Sequence, residues 1–428
     1  MLIAGGGPAG TALACALASA YPRLSIAVAD SAPPLSPGPL VAPQAPPEPR
    51  VLALAPAARS LLSRAGAWQA LEATGRLAPF YSMAVWDASS PGRTFFEAAA
   101  AGRSELGLVA EAGLLRRALA MRASELSNVA LMVADDGVTH LTLPGDESQA
   151  GPAVVRLAKT GEVEAELVVA CDGAGSPVAR MAGLGARRGW KYDQHGLVCA
   201  LRLAPGQICS TAFQRFLPSG GILAVLPMYD EFVSIVWSTH PEHVRQLKQL
   251  SDDEFMIQLR RALLEPVVRS SVLASLAERC LSGIDLQTPQ PPELEALASE
   301  RLSFPLQTSQ ATRYVRHRVA LLGDAAHTVH PMAGQGFNLA LADVACLEKC
   351  LANAIETGQD LGSSLVLEEY QTERKRENAV AMAGIDTLHK IFQVGWEPFV
   401  LARGLGMLAV DKIGPLKSML ISKAVGKD

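Results

Sequence analysis

Hydrophobic and polar positions change period several times along this chain. Leu2-Ile3-Ala4 is a short apolar run, followed by an Ala/Leu-rich stretch to about Ala20 and by Leu24 to Ala29. Strand, glycine turn, helix and second strand are the elements this pattern predicts. Ala32 to Pro49 is proline-rich and aperiodic, which predicts an extended surface loop. Helical spacing returns over Ala57 to Trp68, and Met83 to Trp86 reads as a strand. In Glu111 to Glu125 the spacing sets Leu114, Leu115, Ala118, Leu119 and Met121 on or near one helix face. Residues 128–170 alternate as several antiparallel strands would and close on the apolar run Leu167 to Ala170. Leu197 to Leu203, Ile222 to Leu226 and Phe232 to Trp237 predict further strands, and 250–282 a helical region. Arg318 to Leu322 reads as a short buried strand and Gly334 to Leu351 as a helix. Everything after Tyr370 is helical in pattern, with breaks near Pro398 and Pro415. Without an internal repeat, this succession predicts a discontinuous α/β domain, a β-rich insertion and a helical tail.

Composition narrows the class without changing that layout. At 428 residues, 49% hydrophobic and 19% charged, the chain is an ordinary soluble globular enzyme in make-up, long enough for two or three structural units. A net charge of −4 gives no reason to expect nucleic acid as a partner. Seven cysteines, at 15, 171, 199, 209, 280, 346 and 350, show neither a disulfide framework nor zinc spacing, and the odd count fits a reducing compartment. The longest apolar stretch, Gly220 to Trp237, is broken by Asp230-Glu231, so no membrane-spanning helix is expected. The first strand is shorter than the usual ~5–6 residues. The expectation is therefore a removed N-terminal extension or a misassigned start, with any targeting signal lost along with it.

Three segments carry chemistry. Gly5-x-Gly7-x-x-Gly10 follows the first strand: one glycine for a tight turn, one for close backbone approach to a pyrophosphate, one for helix–strand packing. Such a loop alone is a weak signal. Asp30, twenty positions past Gly10, stands at the end of the second strand, where a carboxylate accepts a ribose hydroxyl and disfavours a 2′-phosphate. Cys171-Asp172-Gly173 follows the buried strand ending at Ala170; alone it is a plain Asp-Gly turn. Gly323-Asp324 ends another buried strand, and Pro331-Met332-Ala333-Gly334-Gln335-Gly336-Phe337-Asn338 opens a helix whose N-terminus suits partial negative charge. His327 and His330 are three apart with no third ligand at evident spacing, so hydrogen-bonding roles are expected rather than metal ligation. Cys346 and Cys350, one helical turn apart, read as small buried residues. No Gly-x-Ser-x-Gly elbow or paired redox cysteines occur, which argues against a hydrolase or disulfide reductase.

Together the three segments resemble the single-dinucleotide-fold flavoprotein monooxygenases, the aromatic hydroxylase superfamily, over nearly the whole chain. The resemblance implies FAD as cofactor. It matches Gly5, Gly7 and Gly10 to the diphosphate loop, Asp30 to the adenosine ribose, Arg50 to the phosphates, and Asp172 and Gly173 to a motif shared by FAD and the reductant site. Gly323-Asp324 matches the ribitol segment, and Pro331 with Gly334 to Asn338 the stretch beside the isoalloxazine; Pro331, Gly334, Gln335 and Gly336 are its flavin-edge candidates. No general base is assigned. Val85-Trp86-Asp87-Ala88, Trp190-x-Tyr192-x-Gln194, Thr211 to Pro218, Ser234 to Ser238 and His330 to Asn338 resemble the ring hydroxylases of ubiquinone biosynthesis. Asp360 to Ser363, Tyr370-x-x-Glu373-Arg374 and Pro415-Leu416-Lys417 resemble their mitochondrial branch.

That resemblance implies FAD-binding segments at 1–80, 101–185 and 301–370, a β-rich substrate domain from 81–100 and 186–300, and a helical C-terminal region at 371–428. It implies hydroxylation of a polyprenylated phenol or benzoate with O2 through a flavin C4a-hydroperoxide. Electrons would come from a ferredoxin system or NAD(P)H, within a biosynthetic protein complex on the matrix side of the mitochondrial inner membrane. A flavin oxidase or reductase of the same fold, or an FAD-holding scaffold, stays open as the alternative. The chain departs from its relatives in the short first strand, in the proline-rich loop, and in Ala112, where Asn is usual. The tail, Ile391 to Ala424, reads equally as a packed helical region or as a peripheral membrane or partner-docking surface.

Overall fold

A computed structural model describes residues 1–32, 39–41, 45–132, 136–144, 151–265 and 289–425. Its centre is a six-stranded sheet ordered Val315–Arg316, Val319–Leu321, Val168–Ala170, Leu2–Ala4, Ile26–Ala29, Val129–Met132. All but the first strand run parallel. Leu2–Ala4 is only three residues long, yet it is wholly buried and paired on both sides. Helix Pro8–Ala20 is apolar nearly all round because it is covered on several sides; Cys15, for example, donates to the Leu119 carbonyl of helix Ala112–Glu125. Strands Val51–Leu54, Gly107–Glu111 and Ala78–Phe80 form a small antiparallel sheet beside this layer, and 138–142, 153–157 and 161–165 form another.

The second large sheet has nine strands. Its spine is the seventeen-residue strand Arg187–Leu203, paired antiparallel with Phe232–Thr239 and Leu302–Ala311. Thr211–Phe216 joins it in parallel to Ser82–Asp87, so two distant stretches of chain build one sheet. Helices Pro241–Gln249 and Asp252–Leu264 cover one face through Val244, Leu247, Phe255, Leu259 and Leu263. A reciprocal Ser251–Glu254 cap starts the second of these helices.

Several expectations need correction. Residues 128–170 are not uniformly antiparallel: Val129–Met132 and Val168–Ala170 are parallel strands of the central sheet. Short apolar runs have no periodicity that distinguishes the two settings. The helix expected over Ala57 to Trp68 is two, Pro56–Arg64 and Trp68–Glu72, separated at Gly66, which has φ +77°. Of the helical region expected over 250–282, Asp252–Leu264 is a helix, and 266–288, with Cys280, lie outside the described residues. Of the proline-rich loop, 39–41 and 45–49 are described and have no regular structure. In the tail, helices Ser364–Gln393, Glu397–Lys412 and Gly414–Val425 put Pro398 and Pro415 in first turns, where a missing N–H is harmless. The Glu397 helix packs on the second sheet. Arg403 makes a two-nitrogen contact with Asp87 Oδ2 (3.0 and 2.7 Å), and Thr94 donates to the Met407 carbonyl.

Candidate functional site

Four neighbouring parallel strands carry the sequence signals at their carboxyl ends. Ala4 leads into the glycine loop, Ala29 into Asp30, Ala170 into Cys171-Asp172-Gly173, and Leu321 into Leu322-Gly323-Asp324. Ligands bind α/β sheets along this edge. The glycines differ in their surroundings. Gly5 has φ +109°, and a Cβ there would run into the Cys171 carbonyl. A Cβ on Gly10 would strike the Gly5 carbonyl and lie 3.0 Å from Cys171 Cβ. A Cβ on Gly7 would meet nothing within 4 Å, so that side of the loop faces open space beside the start of helix Pro8–Ala20. The first turn of that helix contains no carboxylate, leaving its N–H groups and positive dipole end to meet an anion.

The acids are held, and each keeps some accepting capacity. Asp30 accepts from the Gly6 amide at 2.7 Å and from the Ala32 amide at 2.8 Å. Asp172 Oδ2 accepts from Val178 N at 3.1 Å, whereas its buried Oδ1 has no partner. Burial pushes the Asp172 carboxyl above the ordinary range, opposed by its bond to Ser176. Gly173, φ +88°, has no neighbour to meet a Cβ. Asp324 is solvent-accessible yet walled in by protein. The resulting desolvation raises its pKa, against the pull of His327, Arg187 and Arg50. An accessible carboxylate among three cationic or imidazole groups, at the end of a parallel strand, fits a hydroxyl-rich, phosphate-bearing cofactor. Arg50 is exposed, its guanidinium 5.9 Å from the Phe304 ring centre.

Behind Gly323-Asp324 lies a buried network that sequence reasoning missed. Asp343 is fully buried on helix Gln335–Thr357 and accepts from His327 Nε2 (2.5 Å), Arg374 Nε (2.8 Å), Asn378 Nδ2 (3.1 Å) and Gly323 N (3.2 Å). Burial opposes its charge, yet His327 and Arg374 outweigh that and hold its carboxyl below the usual range. Tyr370 donates to the Leu321 carbonyl at 2.8 Å. Arg187 was missed as well: from the start of strand Arg187–Leu203 in the second sheet it donates to the Ala325 carbonyl and Thr328 Oγ1. Only the odd charge on an otherwise apolar helix face, Asp343, was a possible signal.

The Pro331 segment forms a tight turn, with Gly334 at φ +61° starting the long helix. Asn338 Oδ1 accepts from Ala55 N, and its Nδ2 donates to the Ala53 and Gly334 carbonyls. Its side chain therefore clamps the turn to strand Val51–Leu54. Gln335 and Gly336 are half-buried in the first turn. At position 112, Ala112 N donates to the Arg50 carbonyl, while Glu111 is buried against Arg76. His330 Nδ1 accepts from Met332 N and His327 Nε2 bonds Asp343, so both imidazoles make hydrogen bonds. Cys346 and Cys350 are buried on the long helix.

An apolar wall stands beside the Pro331 turn. Phe216 and Ile222 from the second sheet, Met332, and Ile385 from helix Ser364–Gln393 form it, with Val85, Val329 and Phe392 packed against them. The tail helix Ser364–Gln393 contributes Ile385 and Phe392 to this cluster, which the sequence pattern did not foretell.

A family model described as "FAD binding domain" matches residues 43–277 and 277–384. The mitochondrial ubiquinone biosynthesis monooxygenase COQ6 of Xenopus tropicalis is 34% identical, aligned over 99% of this chain and 92% of its own length. The 3-demethoxyubiquinol 3-hydroxylase of Escherichia coli is 32% identical, over 99% and 97%. Among solved structures, PqsL of Pseudomonas aeruginosa, a probable FAD-dependent monooxygenase, has the same fold, with TM-score 0.72 at 23% identity over 95% of this chain and 98% of its own. Klebsiella pneumoniae HpxO, solved with FAD and uric acid, gives TM-score 0.67 at 18% identity over 98% and 96%.

Proposed function

The chain belongs to the FAD binding domain family, in the branch of the ubiquinone biosynthesis monooxygenases, and from that premise we propose that it hydroxylates the aromatic ring of a polyprenylated phenol. It is an FAD-dependent oxidoreductase consuming O2 and a reductant. The observation that carries the reading is the convergence of Gly7, Asp30, Asp172 and Asp324 on one edge of four adjacent parallel strands, in a chain related to these hydroxylases end to end.

Bound FAD supplies the activation of O2. This chain's residues supply the rest. Gly5, Gly7 and Gly10 would let the diphosphate sit on the N-terminus of helix Pro8–Ala20, with Asp30 accepting the ribose hydroxyls and Arg50 offsetting phosphate charge. Gly173 and the unpartnered Asp172 oxygen would face the same groove. Gly323 would bring backbone close to the ribityl chain and Asp324 would accept its hydroxyls. Pro331, Gly334, Gln335, Gly336 and Asn338 would hold the flavin edge, with backbone N–H groups of the helix start toward its negative side. The apolar wall of Phe216, Ile222, Met332 and Ile385 orients the ring and excludes water.

For the reductant we favour a ferredoxin-type protein, as the resemblance to the mitochondrial branch implies; the single Gly-x-Gly-x-x-Gly unit, Gly5 to Gly10, is the one assigned to FAD. For location we favour the matrix face of the mitochondrial inner membrane, in contact with the other enzymes of the pathway. Trp396, Leu405, Ile413 and Met419 are exposed on the tail helices, and no described helix is long and apolar enough to cross a membrane. Apolar residues at a helical surface, with Lys412 among them, suit peripheral attachment and delivery of a prenylated substrate.

The test is reconstitution with FAD, a prenylated phenol, 18O2 and either reduced ferredoxin or NAD(P)H, with products followed by mass. One 18O atom in the ring per two electrons is the expected result. Hydrogen peroxide as the sole product would identify an oxidase, and a colourless folded protein that ignores FAD would overturn the reading.

A further inference from the structure

Where the Pro331 turn meets helix Ser364–Gln393, polar side chains gather around two imidazoles. His330 and His389 are both buried, with ring centres 4.8 Å apart. The Tyr192 ring stands edge-on to both, at 4.9 and 4.7 Å. Tyr192 donates to Asp386 Oδ1 at 3.0 Å, and Asp386 Oδ2 pairs with Lys390 at 2.7 Å.

The two histidines are not equivalent. His330 has both nitrogens occupied: Nδ1 accepts from Met332 N at 3.1 Å, which leaves the proton on Nε2, 3.5 Å from Gln194 Oε1. Gln194 in turn donates to the Gly220 carbonyl at 3.0 Å. His389 Nε2 faces the Gln393 amide nitrogen at 2.9 Å. An amide N–H donates, so this ring nitrogen accepts and the proton resides on Nδ1. His389 Nδ1 is buried and has no partner, in a residue only 2% exposed. A buried donor left unmade is costly and is normally avoided.

Its neighbours say what it could meet. Ile385 and Phe392, four before and three after His389, lie on the same helix face and belong to the apolar wall with Phe216, Ile222 and Met332. A buried apolar cluster with one unpartnered N–H on the adjoining helix face matches a molecule that is apolar over its ring and tail and carries one acceptor oxygen. Burial, with Lys390 adding to it and Asp386 opposing, keeps the imidazole neutral at physiological pH, so it acts as a donor and not as a cation.

We propose that His389 Nδ1–H is the hydrogen-bond donor for the ring oxygen of the aromatic substrate, and that His330, saturated by Met332 and Gln194, positions the turn beside it. The proposal rests on the substrate reading above. It is tested on the FAD-loaded full chain by titrating a short-chain prenylated phenol, and its analogue lacking the hydroxyl, against the flavin absorbance spectrum. Wild type is expected to prefer the phenol by about 10- to 100-fold, the worth of one buried hydrogen bond. His389→Phe should remove that preference by weakening the phenol alone. His389→Asn, whose amide nitrogen falls near Nδ1, should keep much of it, and His389→Gln, whose amide falls near Nε2, should not. Undiminished preference in His389→Phe overturns the proposal. If that variant fails to hold FAD, equal preference in the Asn and Gln variants overturns it instead. Wild type that binds neither analogue overturns the substrate reading itself, and this assignment falls with it.

Discussion

Replacing Arg374 by Met keeps an unbranched apolar stem and removes one counter-charge from Asp343. Both side chains are almost wholly buried, and the contact is 2.8 Å. Breaking a buried ion pair by removing one partner costs about 3–5 kcal/mol, because the remaining charge stays out of water. His327, Asn378 and Gly323 N remain around the carboxylate, so the lower part of that range is expected. An unfolding entropy of about 2.1 cal/mol/K per residue gives ~0.9 kcal/mol/K for a chain of 428 residues. The loss then lowers Tm by about 3–5 °C in a thermal scan followed by flavin fluorescence. The pH dependence has a definite sign. Against the burial that opposes its charge, His327 and Arg374 hold the Asp343 carboxyl below its ordinary value in the folded chain. Its contribution is therefore complete above the unfolded pKa, near ~3.9, and is lost as pH falls through the lower folded value. The gap between wild type and Arg374→Met should be full at pH 7 and at pH 5 and shrink below about pH 4. Arg374→Lys should restore part of it. A Tm change below about 1 °C, or the same change in an Asp343→Asn background, would refute the coupling.

Other perturbations separate fold from cofactor. Gly7→Ala meets open space and should leave the unfolding free energy of the apoprotein within the ~0.5 kcal/mol typical of surface changes while lowering bound flavin per protein; a loss of both together would show that Gly7 serves packing. Gly10→Ala drives a methyl into the Gly5 carbonyl and should destabilise the apoprotein itself, read by calorimetry without FAD. Asp324→Ala removes an accessible carboxylate from the strand end and should weaken FAD binding by roughly 10- to 100-fold, the range of a charged hydrogen bond, in equilibrium dialysis; unchanged affinity would take Asp324 out of the site. Arg403→Met unpairs buried Asp87 and should loosen the Glu397 helix, so that limited proteolysis cuts the already exposed Val394 to Trp396 link faster than in wild type while the flavin-binding core stays yellow.

Much of this molecule is local and was therefore readable from the chain. Gly5, at φ +109°, and Gly10, against the Gly5 carbonyl, answer to backbone requirements of the loop itself, and Asp30, Asp172 and Asp324 follow apolar runs that have few other uses. The strand–turn–helix–strand opening and the proline starts of the tail helices follow from periodicity and from the geometry of proline. Tertiary structure decided what those local facts could not contain. Val129–Met132 and Val168–Ala170 are parallel because their partners lie more than a hundred residues away, and an apolar run looks alike in either setting. Asp343, Arg374, Asn378 and His327 are ordinary residues until two helices and a strand end bring them around one carboxylate. His389 reads as one more polar position in a tail helix, and only packing against Tyr192 and the Pro331 turn buries it and leaves its Nδ1 without a partner. Hydrogen bonds and burial between distant segments depend on register and crossing geometry, which no window of sequence encodes, whereas a turn or a strand end is specified by the residues that form it.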